Sequence, residues 1–414
     1  MKNTVWSADH SQIPTLKPHT RAKHQLLERY IEQWVYIHCK SHPAYQNKIT
    51  IIDGFCGGGI YQTEDNLGDW EGSPFRLIRG IERGHKRVCD PDDGGKVGHK
   101  LEAQFIFIDN TREHINSLKK AFRERGLDQY LRNGKCSFLC GDFSKYVDHC
   151  LDATRNGQSF FLLDPFGVDD IRISDIRKIM SLRKAEILWT FMISGITRLL
   201  PNRAKYRHIL DETLDLSGYF RDLPNSKASQ RHCYLRNESL TFIREKSDVE
   251  YIYPFSLMEN KNTVLYYLVH LANSVKAIEV MKDSMWKYNN LECRYHYDIY
   301  GIGYRTFEEM SGSKLYDIDQ FNQRELEETL DESVLRVIYQ TPLSYQTLRK
   351  TLVEKNPGSG THLLESLYRM RRFHDLEIVK PNGGVFSGES ASGMKSDYII
   401  RVPRQGKLFD LKSF

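Results

Sequence analysis

Two stretches hold the residues best suited to chemistry. The first, Asp53-Gly54-Phe55-Cys56-Gly57-Gly58-Gly59-Ile60-Tyr61, sets a carboxylate immediately before a glycine-rich turn. Glycines leave the main chain bare, so a ligand can lie against it, while the acid can hold a cationic or hydroxyl-bearing part of that ligand. The second, Asp164-Pro165-Phe166-Gly167, offers an acid that can accept hydrogen bonds from an amine and, two positions on, a ring that can stack. Asp109, in QFIFID, and Asp142, in Cys140-Gly141-Asp142-Phe143, bring to four the acids that end an apolar run. Any one of them can cap a helix or start a turn. Four in succession outline the rim of a single crevice.

Such a rim needs a particular scaffold. Residues 48–55, 104–109, 136–142, 160–164 and 186–191 are short apolar runs, and helical patterns at 74–83, 112–126 and 174–183 lie between them. Apolar runs alternating with helices predict an α/β fold with a Rossmann-like, doubly wound parallel sheet. Ligands bind such sheets beyond the carboxyl ends of the strands. An amphipathic helix is expected ahead of the sheet, over 19–40, where Leu27, Tyr30, Ile31, Trp34 and Ile37 fall at helical spacing. Runs at 250–258 and 264–272, joined by a short polar turn, read as a hairpin that closes the sheet with an antiparallel strand. The second run also fits the start of a helix through 273–287, and both readings stand. From about residue 323 come three helical stretches (323–339, 344–354, 361–374) and two strand-like ones (377–380, 397–402), the pattern of a winged helix.

Charge and composition narrow the function. The 414 residues carry 59 Lys plus Arg against 54 Asp plus Glu, a formal net charge of +5. Residues 341–414 hold 12 basic and 7 acidic side chains, residues 1–50 hold 7 and 3, and the centre is slightly acidic. That layout suits an anionic polymer gripped at the flanks. No run approaches the roughly 20 apolar residues that span a bilayer, and residues 1–10 lack the apolar core of a signal peptide. Eight cysteines without paired spacing predict a reduced, cytoplasmic setting. Cys136, Cys140 and Cys150 have the wrong gaps for an iron–sulfur motif, and no metal site is expected. The chain has no phosphate-loop motif, and the dinucleotide fingerprint G-x-G-x-x-G breaks at Gln62.

The pattern D-x-F-x-G-x-G at 53–59 matches the first motif of S-adenosylmethionine enzymes. On that match Asp53, Gly54, Phe55, Gly57, Gly59 and Tyr61 bind the cofactor's methionine end. Asp109 accepts the ribose hydroxyls, and Asp142 and Phe143 flank the adenine. Asp164, Pro165 and Phe166 stand where amino-group methylases of nucleic acids carry [DN]-P-P-[YF], whose acid holds an exocyclic amine while the ring stacks on an extruded base. In this chain the aromatic comes one position early and the second proline is missing; a plain strand-ending turn is the alternative. Five parallel strands with a terminal hairpin are also the layout of class I methyltransferases.

In the tail, residues 361–372 (THLLESLYRMRR) place His362, Ser366, Arg369 and Arg372 opposite an apolar face. As a recognition helix this segment would enter a major groove, with Arg369 and Arg372 on the nucleic acid and Lys395, Arg401 and Arg404 on phosphates. Protein contacts through the same face are the alternative.

Taken in order, His19-Thr20…Lys23, the motif from Asp53 to Tyr61, Gly72-Ser73-Pro74 opening a helix, and Asp164-Pro165-Phe166-Gly167 resemble the three-Cys-motif partner protein family over about residues 15–300. Cys56 and Gly58 stand where that family has Ala and Pro. The resemblance implies a Rossmann-like methyltransferase fold and a partner with a CxxxCxxC iron–sulfur motif, similar to radical S-adenosylmethionine proteins. The expected organisation is an N-terminal helical segment (1–45), a methyltransferase-type domain (46–310) with a helical insertion at about 200–247, and a winged-helix domain (323–405). The expected function is S-adenosylmethionine-dependent methylation of nucleic acid, DNA or RNA, together with the iron–sulfur partner. The alternative is a non-catalytic, methyltransferase-like scaffold that docks that partner on nucleic acid.

Overall fold

The computed structural model describes residues 5–41, 46–64, 68–93, 98–155, 157–221, 228–260, 263–291, 302–305, 315–388 and 393–403. The chain opens with α1 (Pro18–Ser41), β1 (Gln46–Asp53), a small hairpin of β2 (Ile60–Gln62) and β3 (Asp69–Glu71), and α2 (Ser73–Cys89). Then follow β4 (Lys100–Asp109), α3 (Arg112–Glu124), α4 (Asp128–Arg132), β5 (Cys136–Cys140), α5 (Phe143–Thr154), β6 (Gln158–Leu163), α6 (Ile173–Met180) and β7 (Ala185–Phe191). After α7 (Ile193–Leu199) and α8 (Ala228–Ser247) come β8 (Tyr251–Asn260), β9 (Thr263–Ala272), α9 (Val275–Tyr288) and β10 (Gly303–Arg305).

These strands form one mixed sheet in the order β10-β8-β9-β7-β6-β1-β4-β5. The five central strands β5, β4, β1, β6 and β7 run parallel, and β9 enters antiparallel to both β7 and β8. The second run of the hairpin is therefore strand, with helix beginning only at Val275. Not legible in the sequence were α5, the β2–β3 hairpin, and β10, which pairs in parallel with β8. Three-residue strands carry too little pattern to be read.

Alternation along the strands supplies two cores. Ile49, Ile51, Phe105, Phe107 and Phe160 face one layer with Leu27 of α1, Phe75 of α2, Leu118 of α3 and Ile278 of α9. Ile52, Ile106, Ile108, Phe161 and Ile187 face the other with Val147 of α5, Ile176 of α6 and Ile243 of α8. The amphipathic helix foreseen at 19–40 belongs to the first layer. Its Tyr30 hydroxyl and its Trp34 Nε1 (2.8 Å) donate to Glu186 at the foot of β7. Glu28 ties it to Arg76 (2.8 Å) and Arg83 of α2.

The C-terminal unit contains α10 (Leu315–Gln340), β11 (Leu343–Ser344), α11 (Tyr345–Leu352), α12 (Gly360–Arg372), β12 (Glu377–Val379) and β13 (Ile399–Arg401). Its antiparallel sheet runs β11-β13-β12. Leu330, Val334, Leu348, Leu367, Ile378 and Ile400 give it a core of its own. No described helix is long and apolar enough to cross a membrane.

Candidate functional site at the strand tips

Strand order decides where a ligand can sit. From β1 the chain moves outward to β4 and β5, then returns across to β6 and β7 on the other side. The loops leaving β1 and β6 therefore diverge, and a crevice opens between them, the general ligand site of such sheets. Asp53 ends β1, Asp109 ends β4, Asp164 follows β6 directly, and Asp142 caps α5 just beyond β5. All four lie on the same edge of the sheet.

The turn after β1 is held on both sides. Gly54 N–H donates to Leu162 O of β6 and Cys56 N–H to Ile108 O of β4, each at 2.9 Å. Gly57 (φ +59°) and Gly59 (φ +88°) take left-handed backbone that other residues resist. The glycines also make room for a residue that the sequence did not flag. Trp6 lies buried against Gly57 and Gly58, where a Cβ on Gly58 would overlap its ring, and its Nε1 donates to Ile60 O at 2.5 Å. Gly59 leaves space for Leu118 and Phe75. The three glycines expected to bind the cofactor, Gly54, Gly57 and Gly59, thus face protein side chains. Across residues 53–60 only Phe55 is not buried.

The acids differ sharply in state. Asp109 accepts from Gly57 N–H (3.1 Å, Oδ2), and from Thr111 N–H and His114 Nδ1 (both 2.9 Å, Oδ1). Its oxygens hold the turn, and ribose hydroxyls would have to share them. Asp142 is exposed and pairs with Lys145 at 2.7 Å. Phe143 sits beneath Gly54 and Phe55, a core residue and not an open face. Asp53 is fully buried: Oδ1 accepts a long bond from Phe55 N–H (3.3 Å), the Ser73 hydroxyl also favours the carboxylate, and Oδ2 has no hydrogen-bond partner among the described residues. Burial pushes its carboxyl up to about 7, with the nearby Asp164 and Asp109 adding to the shift. A buried carboxylate without a counter-charge costs several kcal/mol in an apolar setting. It fits a cationic group brought by a ligand.

Asp164 is a third exposed at its side chain and has acquired a partner from across the fold. Lys23 Nζ of α1, itself only 12% exposed, donates to Asp164 Oδ2 at 2.5 Å and lies 5.0 Å from the centre of the Tyr266 ring. Burial alone would raise the Asp164 carboxyl, but the Lys23 ammonium outweighs it and holds the group below its ordinary value. Around the pair, His19 packs edge-on to Tyr266, and His24 accepts from Trp70 Nε1 at 3.1 Å on its Nδ1. Burial, assisted by the Lys23 charge, lowers His19 to about 4 and His24 to about 3, so both are neutral. The buried Tyr266 hydroxyl has no hydrogen-bond partner among the described residues, and the Thr190 hydroxyl helps to hold Asp164 low. Pro165 is buried, whereas Phe166 stands 46% exposed at the mouth. Tyr61 is half-buried beside Trp6 and His24. Cys56 is a buried thiol raised far above its usual range by burial, which makes it a packing residue and not a nucleophile.

The tail's basic residues do not gather into one face. Arg369 is tied to Asp331 (2.8 Å) and Glu327 (3.2 Å) of α10, and Arg401 to Glu377 (2.9 Å). Arg372 and Lys395 are exposed, and Arg404 lies outside the described residues. The N-terminal end of α12, which a helix-turn-helix inserts into the groove, is turned toward the body. His362 packs on Trp286 of α9, and Gly360 abuts Glu279. An open groove of about 600 Å³ runs beside Glu365, Tyr368, Arg369, Arg372 and Phe373. No described group of His, Cys, Asp or Glu could hold a metal ion.

No protein-family model and no curated protein matches the chain. Among solved structures, Trm1 from Pyrococcus horikoshii, in complex with S-adenosyl-L-methionine, is 13% identical with a TM-score of 0.33, covering 96% of each chain. The O-methyltransferase TomG from Streptomyces achromogenes, in complex with SAM, is 12% identical with a TM-score of 0.26, covering 66% of this chain and all of the other. Protein LPL1258 from Legionella pneumophila is 9% identical with a TM-score of 0.33, covering 60% and 85%. Likenesses this loose assign nothing to individual residues.

Proposed function

We propose that the chain is an S-adenosylmethionine-dependent methyltransferase whose acceptor is a base of a nucleic acid, DNA or RNA. The observation that carries the reading is Asp53. It is a fully buried carboxylate with an unpartnered oxygen at the tip of β1, beside the crevice where the strand order reverses. A ligand with a fixed positive charge supplies the missing counter-ion, and S-adenosylmethionine carries two such charges. Bound there, it would supply an electrophilic methyl group. The chain's own residues do the rest: Asp53 seats the cation, Phe55 borders the turn, Asp164 holds an acceptor amine, and the exposed Phe166 stacks on its ring. Positioning of the two reactants would provide most of the rate.

The exposed Lys17, just before α1, and Arg21, on its first turn, flank this mouth and suit a phosphate backbone. The C-terminal unit, read as a winged helix, has its recognition helix docked and two of its arginines paired. For that unit, contact with a protein partner, such as one carrying a three-Cys iron–sulfur motif, is the better-supported use.

Calorimetric titration with S-adenosylmethionine tests the reading. Binding that Asp53→Ala abolishes supports it, and absence of heat at high protein concentration sinks it. Proton linkage adds a signature. A bound cation draws the Asp53 carboxyl below about 7, so binding releases a proton near neutrality. Affinity should fall up to about tenfold per pH unit below 7. Transfer of a tritiated methyl group into DNA or RNA would then identify the acceptor.

A further inference from the structure

The acid expected to hold the acceptor amine is already held by an ammonium from a helix residue 141 positions earlier in the chain. That helix is itself anchored. Glu186 grips Tyr30 and Trp34, and Glu28 grips Arg76 and Arg83, so Lys23 cannot drift without moving α1 across the sheet. The ammonium engages one oxygen, Oδ2. The remaining exposure of the Asp164 side chain, about a third, lies at the crevice mouth beside Phe166.

We propose that Lys23 is a positioning residue of the acceptor seat: it pins Asp164 by one oxygen and leaves the other for the N–H of an exocyclic amine on a stacked base. The inference rests on the nucleic-acid methyltransferase reading and deepens it by naming the acceptor chemistry. Geometry favours this role over simple charge neutralisation. A lysine needed only to neutralise Asp164 could reach it from solvent, whereas this one is sequestered, with its ammonium by the Tyr266 ring. The other groups facing Asp164 cannot replace it. His19 and His24 are neutral, Asp53 repels, and the phenols of Tyr61 and Tyr266 stay protonated because burial raises them. Without Lys23, burial would raise the Asp164 carboxyl, and its protonated form would offer a donor where the amine needs an acceptor.

The test uses the full chain with S-adenosylhomocysteine present and two single-stranded probes, a ten-nucleotide oligo(dA), whose base carries an exocyclic amine, and oligo(dT), whose base does not. The wild-type chain should bind oligo(dA) at least tenfold more tightly. Lys23→Met should lose that preference, Lys23→Arg should keep it within threefold, and cofactor affinity should stay within twofold in both. A Lys23→Met chain that keeps the preference, or a Lys23→Arg chain that loses it as fully as the Met variant, overturns the inference. If the wild-type chain binds cofactor but neither probe, the nucleic-acid reading fails instead. The positioning role then still has its own readout, the titration of the Asp164 carboxyl followed by carbon-13 NMR and assigned with Asp164→Asn. Its midpoint should rise by at least one pH unit in Lys23→Met and stay in place in Lys23→Arg. An unmoved midpoint in Lys23→Met sinks the role outright.

Discussion

Asp53 sets a conflict between stability and binding within one side chain. Its carboxyl is ordinary in the unfolded chain and raised to about 7 in the fold. Between these values the folded state holds more protons than the unfolded one, so stability falls as pH rises from about 4 to 7. The full penalty, on the order of 4 kcal/mol for such a shift, is present above pH 7 and vanishes below about 4. Asp53→Asn should therefore raise the melting temperature at pH 8 and leave it nearly unchanged at pH 4. The same substitution should abolish S-adenosylmethionine binding, as expected where a site keeps a strained group for function. Thermal denaturation at the two pH values checks the first part; a variant no more stable at pH 8 would mean that a hidden partner already satisfies the carboxylate.

At the scale of elements, the turn after β1 is a joint between the N-terminal segment, α3 and the sheet. Trp6 fills the space that Gly57 and Gly58 leave, and the Ser117 hydroxyl of α3 donates to Gly58 O at 3.0 Å. Gly58 has ordinary backbone angles, so alanine is excluded there by the indole and not by strain. Gly58→Ala should cost about 1–3 kcal/mol by overpacking, and Trp6→Ala about 3–5 kcal/mol by cavity formation. In the Trp6→Ala background the Gly58 substitution should cost less than in the wild-type chain, because the indole atoms are gone and only the Cβ of residue 6 still opposes the methyl. Urea denaturation of the four chains measures the coupling; strictly additive losses would show that the two positions do not share that space. In the sequence the glycine cluster was visible as a turn, but its neighbour was not. Trp6 stands alone, outside any periodic run, and nothing local links it to residue 58.

For the whole molecule, a set of buried contacts joins the C-terminal unit to the body. Arg349 of α11 forms a two-pronged pair with the buried Glu279 of α9 (2.8 and 2.5 Å). Lys282 donates to Val353 O at 2.7 Å, and Glu354 accepts from Ile252 N–H (2.6 Å) and Arg244 (2.7 Å). These bonds turn the start of α12 inward. Arg349→Met should destabilise by about 3–5 kcal/mol because the buried Glu279 is left with only the long contact to Lys276 (4.0 Å). Pairing it with Glu279→Met should recover most of that loss. Chemical denaturation reads both, and equal losses in the single and double variants would show that packing, not the ion pair, joins the units.

The sequence by itself determined what depends on local pattern. The five parallel strands, the helices α1, α2, α3 and α6 and the carboxylates at the strand tips were legible, since alternation and helical spacing are properties of short windows. So were the three helices and two strand-like runs of the tail. Tertiary structure alone decided which of those acids remained available. Asp109 was spent on the glycine turn, Asp142 faced solvent, Asp53 kept one oxygen without a partner among the described residues, and Asp164 received Lys23. It also paired Arg369 and Arg401 and turned α12 toward the body. The physical reason is range. A carboxylate's state follows from burial and from charges within a few ångströms, and here those charges come from residues that no sequence window spans.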